Sequence, residues 1–130
     1  MCVRFGHHVA MAITAARFVS RLTSAVPESL ATLREHLADQ EGELLLHVLM
    51  GDLLRLALIW FREGRTDALT RLLAVLEAGL REGDEYVSNA VAVSFVEDIG
   101  WWEAGMRPFI TTLPGELAKE VERQRQWYRQ

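Results

Sequence analysis

Residues 43–61 read ELLLHVLMGDLLRLALIWF, and this stretch decides the fold. Leu44, Leu45, Leu46, Val48, Leu49, Met50, Leu53, Leu54, Leu56, Leu58, Ile59 and Trp60 leave hardly any polar face. A helix apolar almost all round is one that neighbours cover on several sides. At 1.5 Å per residue it would be roughly 28 Å long, near the width of a small domain. Glu63-Gly64-Arg65 ends it.

The pieces on either side have helix length and sparse punctuation. Upstream, Ile13 to Ala25 carries a rough apolar stripe that Pro27 closes, and Leu30, Leu33 and Leu37 repeat at three and four up to Ala38. Downstream, Thr66 opens a helix with a one-sided stripe of Leu69, Leu72, Leu73, Leu76 and Leu80. Arg71, Glu77 and Arg81 lie on its opposite face, and Gly83 is its expected stop. Asp84 is placed as the N-cap of a further helix to Ile99. That piece is rich in Val and Phe, so a strand is the local alternative, but some fifteen unbroken residues with Ala90 and Ala92 favour a second central helix. A turn over residues 109–113 and a last helix from Gly115 to Trp127 follow, with a polar tail at Arg123–Gln126 expected to fray. The expected fold is all-α, a compact bundle of five or six helices around the two apolar ones. Residues 1–12 form a loose extension, 13–127 one domain and 128–130 a tail.

The 130 residues suit one domain, and with half of them apolar and a quarter charged the composition is that of a globular chain. The formal charge of −4 is spread over interspersed acids and bases, so the basic stripe of a nucleic-acid binder is missing. A mildly acidic chain suits a basic partner. Thirteen of the fourteen basic residues are Arg, Lys119 being the exception. The single cysteine, Cys2, excludes an internal disulfide and fits a reducing cytosol. The apolar run from Val9 to Val19 is broken by Thr14 and Arg17 and is read as the first helix, not a signal peptide. No apolar run reaches bilayer length, so no membrane partner is expected.

Few residues on the central helices need explaining. Gly51 within the apolar helix points to close packing of a neighbour. Asp52 shares a stripe with Val48, Leu49, Leu56 and Ile59, and a carboxylate buried there needs a partner, for which Arg55 is nearest. His47 and Asn89, with Asp52 and Arg55, could instead line a polar pocket between the central helices, as in a small-molecule or metal-dependent enzyme or sensor. Glu43 and His47 are four apart, but no metalloprotease or di-iron spacing is present, so neither metal nor cofactor is expected. No nucleophile elbow and no phosphate loop appears, so no catalytic residue is assigned. Acidic groups flank two indoles where the second central helix ends: Glu97, Asp98, Trp101, Trp102 and Glu103. With Glu82, Asp84 and Glu85 before that helix, they are the candidate partner-binding residues, since Trp is enriched at binding hot spots.

The segments AVPE (25–28), EHL (35–37), GELL (42–45), HVLMGD (47–52), DEYVSN (84–89) and VSFVE (93–97) resemble a family of small bacterial helical proteins catalogued as a domain of unknown function. The likeness covers about residues 18 to 122 and departs at Leu46, where members often carry Pro. Members look like products encoded beside polymorphic toxins, where small acidic proteins confer immunity. The resemblance implies a cytoplasmic immunity protein that binds and occludes a cognate toxin, and it brings no active-site residue with it. An interaction subunit of a larger assembly is the blander alternative, and oligomeric state stays open.

Overall fold

The computed structural model describes residues 12–129. Ala12 aside, the expected loose extension at 1–12 lies outside the described residues. Seven α-helices are present among the described residues: α1 (Ala15–Ala25), α2 (Leu30–Asp39), α3 (Leu46–Glu63), α4 (Thr66–Glu82), α5 (Glu85–Val91), α6 (Arg107–Ile110) and α7 (Gly115–Tyr128). The all-α expectation holds. A single 3-10 turn, Pro27–Ser29, separates the first two pieces.

α3 buries Leu46, Leu49, Met50, Leu53, Leu54, Ala57 and Trp60, but it is not covered all round. Val48 and Ile59 are exposed, and with Asp52 and Arg55 they mark an open stripe. α4 is a second central element, packing against α1, α3, α5 and α7. Its buried side is Ala68, Leu69, Leu72, Leu73, Val75, Leu76 and Gly79. Burying each such Leu stabilises by about 1.5–3 kcal/mol against leaving it in water.

The α4–α5 joint depends on Gly83, though not for the reason expected. Its φ is −70°, so it is no left-handed stop. A Cβ here would lie 2.3 Å from the Gly79 carbonyl oxygen and 2.7 Å from Val87 Cγ1. Only a residue without a side chain fits. The backbone of Ile13 laces this joint in a one-residue bridge: its N–H donates to Glu82 O and its O accepts from the Asp84 N–H, both at 2.9 Å.

Beyond Val91, α5 continues as a π turn (Ala92–Val96) and a 3-10 turn (Glu97–Ile99), ending at Gly100 with φ +73°. The wider turn puts the adjacent Phe95 and Val96 both in the core, fully buried.

Two helix N-termini are capped from a distance. α3 has no capping side chain of its own, and it starts at Leu46, three residues later than expected. The Leu45 N–H donates to His36 Nε2 at 3.1 Å and the Leu46 N–H to the Tyr86 hydroxyl oxygen at 3.4 Å. On α7, the Glu116 N–H donates to Glu77 Oε2 at 2.8 Å. Orphan N–H groups are thus met by side chains of neighbouring elements. α5, by contrast, is capped locally as expected, the Val87 N–H donating to Asp84 Oδ1 at 2.9 Å.

Candidate functional site

The polar residues of the central helices do not converge. His47 and Asp52 are five positions apart on α3, about 140° around the axis. His47 shares a 2.7 Å hydrogen bond with Ser94 Oγ and tilts against the Tyr86 ring. Asp52 faces α2 instead, pairing with Arg55 and standing 3.4 Å from His36 Nδ1. Asn89 is exposed and lies in a separate groove with Glu85, Glu116 and Arg123. The pocket expected from His47, Asp52, Arg55 and Asn89 is therefore not assembled. Two related expectations are corrected with it. Asp52 is about one-fifth exposed and not sealed in the core. A Cβ at Gly51 would meet only the Arg55 guanidinium, at 3.7 Å, so no helix packs closely there.

His36 explains much of this region. It is 2% exposed, and its Nε2 accepts from the Leu45 N–H. The proton of the neutral ring is thereby placed on Nδ1. Nδ1 has no hydrogen-bond acceptor in good geometry, and the Asp52 carboxylate faces it as a charge. With one ring nitrogen committed to the backbone, His36 is a brace for the α3 terminus and not a free base. Among the described residues, no three His, Cys, Asp or Glu side chains are grouped to hold a metal ion.

The expected partner-binding residues divide between the two ends of the α5 segment, roughly 20 Å apart along a helical path. At its start, Asp84 is used as a cap and Glu82 pairs with Arg81, which holds the Glu82 carboxyl below its ordinary value. Glu85 is exposed. At its end the structure gathers more than the sequence suggested. Trp102, Trp101, Tyr128 and Trp127 form a continuous run of rings, with successive centroids 5.2, 5.7 and 5.7 Å apart. Trp101 is buried, while Trp102, Trp127 and Tyr128 are 63, 69 and 60% exposed. Single exposed apolar residues need no explanation, but a connected group does.

The two inner rings of this run are held by hydrogen bonds. The Trp101 Nε1–H donates to Gln124 Oε1 at 2.8 Å, and Gln124 Nε2 donates to Ala92 O and Glu120 Oε2, each at 3.0 Å. The Tyr128 hydroxyl donates to Glu97 Oε2 at 2.6 Å, which raises the phenol above its ordinary pKa. Tyr128 is the last residue of α7, so the helix runs through Arg123–Gln126 and one residue past its expected end at Trp127.

Arginines surround the rings. Trp101, Trp102, Glu103, Arg107, Arg125 and Arg129 line one groove of about 330 Å³, with the Arg125 guanidinium 5.9 Å from the Trp101 ring centroid. Asp98 is exposed beside it in the chain but does not line it. Sequence reasoning missed Gln124, Arg125, Trp127, Tyr128 and Arg129 because the end of α7 reads as a polar, fraying tail. The usable signal was the spacing of Val121, Gln124, Arg125 and Tyr128, which puts them on one helical face.

Residues 19–129 match the family model described as Domain of unknown function (DUF7674), and the chain belongs to that family. Neither the curated proteins nor the solved structures contain a match to it. No helix among the described residues is long and apolar enough to cross a membrane.

Proposed function

We propose that this protein is a binding protein of the immunity class, neutralising a cognate bacterial toxin by direct contact that occludes the toxin's active site. The observation that carries the reading is the connected run Trp102, Trp101, Tyr128 and Trp127, three of its rings exposed and its two inner rings pinned through Gln124 and Glu97. Trp, Tyr and Arg are the residues that dominate binding hot spots, and a preorganised patch loses little side-chain entropy on docking. The absence of catalytic motifs from the sequence and the likeness to products encoded beside toxins support the same reading. The proposed setting is the cytosol, where a single cysteine would stay reduced.

Co-expression with the toxin-like protein encoded next door tests it. Protection of the host cell and co-purification of a complex are expected, and both should weaken with Trp102→Ala. A toxin-like neighbour that neither binds nor is neutralised would sink the reading.

A further inference from the structure

We infer that the groove between the Trp101–Trp102 turn and the ends of α6 and α7 takes an acidic peptide segment of the partner, its carboxylates paired with Arg107, Arg125 and Arg129 and an apolar side chain set against Trp102. This rests on the reading above only in taking the partner to be a protein. It reverses the expectation of a basic partner that the net charge suggested.

The charge of the groove carries the inference. Three guanidiniums line it against one carboxylate, Glu103. Among the described residues, Arg107 and Arg129 have no carboxylate within salt-bridge distance, and Arg125 has only Glu122, at 3.9 Å. Glu97 is not among the residues that line the groove and accepts from the Tyr128 hydroxyl. A local excess of positive charge on a chain of net charge −4 is the reverse of what the whole molecule would impose. Arginine forks match carboxylates bidentately, and they stay charged at any physiological pH. Beside them Trp102 offers an exposed ring already braced edge-on by Trp101. The combination of forks and a fixed indole fits a short stretch in which acids flank an apolar residue. A nucleic-acid strand fits less well, because it would have to run past an acidic molecule without a basic stripe to follow.

The test uses the full chain, ¹⁵N-labelled, and follows the indole N–H signals of Trp101 and Trp102. The probes are a blocked pentapeptide of aspartates and glutamates around one leucine, its lysine counterpart, and an oligothymidylate of five nucleotides. The acidic peptide is expected to shift the Trp102 signal saturably and at least tenfold more tightly than the lysine peptide. The double variant Arg107→Glu, Arg129→Glu should abolish that preference, whereas Arg34→Glu, exposed on α2 and outside the groove, should leave it intact. Both altered side chains in the double variant are exposed, so an unchanged urea midpoint is the check on folding. No saturable shift, an equal response to the lysine peptide, or tighter binding of the oligothymidylate would each overturn the inference. Acidic-peptide binding without toxin neutralisation removes the immunity reading alone. Toxin neutralisation that the double variant leaves unchanged removes this inference alone.

Discussion

The indole of Trp101 and the side-chain amide of Gln124 are joined by a 2.8 Å hydrogen bond across 23 positions of sequence. The other end of the same amide donates to Ala92 O, the carbonyl that also accepts the Glu97 N–H where α5 widens into its π turn. One side chain of α7 therefore fixes both the irregular end of α5 and the aromatic patch beyond it. Gln124→Leu should cost about 1–2 kcal/mol, since it leaves the buried indole N–H without a partner. Urea unfolding reads the loss, and broadening of the Trp101 indole signal would show the released ring. An unchanged stability would mean that water replaces the amide.

Trp102 separates binding from folding. Its ring is 63% exposed and touches chiefly Trp101, so Trp102→Ala should move the unfolding free energy by less than about 1 kcal/mol. In a complex with the partner it should cost about 2 kcal/mol or more, roughly thirtyfold in Kd. Calorimetry on the complex together with urea unfolding of the free protein gives both numbers. A loss of stability matching the loss of affinity would make the ring structural.

Gly83→Ala should destabilise by about 3 kcal/mol or more, because the added methyl meets a backbone oxygen as well as the branched Val87 side chain close to its own backbone. Gly105→Ala is the control: nothing lies within 4 Å of the added Cβ, and the change should stay within about 1 kcal/mol of zero. Thermal unfolding of the pair is sufficient. Equal midpoints would show that the α4–α5 joint can shift freely.

His36→Phe keeps a planar ring, somewhat larger, but removes the acceptor for the Leu45 N–H. A loss of about 2 kcal/mol is expected from the orphaned donor. Hydrogen exchange should show the loosening first at Leu45 and Leu46, where α3 begins. Protection unchanged at those amides would deny His36 its bracing role.

Glu28 makes stability depend on acid pH. Arg71 donates to both its carboxylate oxygens, at 2.9 and 2.8 Å, and holds the carboxyl well down, from 4.5 to about 2. A carboxyl depressed in the folded state contributes stability that is present above its unfolded value and is lost as pH falls through the folded one. The contribution should fade between about pH 4.5 and 2, and Glu28→Gln should flatten the stability curve over that window. Urea midpoints measured from pH 2 to 6 check it. A slope that persists in the variant would assign the acid sensitivity to other carboxylates.

What was legible in the sequence was local. The helical pieces followed from periodicity, and the Asp84 cap from its place before an apolar run, since the N–H it accepts is only three residues on. The caps on α3 and α7 were not legible, because His36, Tyr86 and Glu77 stand 9, 40 and 39 positions from the groups they satisfy. Asp52 was misplaced for a related reason: periodicity says which residues share a face, but not which faces a neighbour covers. The acids and indoles of the α5 end were grouped because they are close in sequence. The arginines that change its charge came from α6 and α7, and only folding brings them there.

The groove is built partly from Tyr128 and Arg129, the last turn that the structure describes. Any extension beyond residue 130, natural or engineered, therefore starts near the rim of the groove proposed to take the partner. An affinity handle fused at that end would compete for the arginines if acidic and crowd the indoles if bulky. Either way a genuine partner could escape capture. The placement of a tag is, for this fold, a choice about whether the bait is left open.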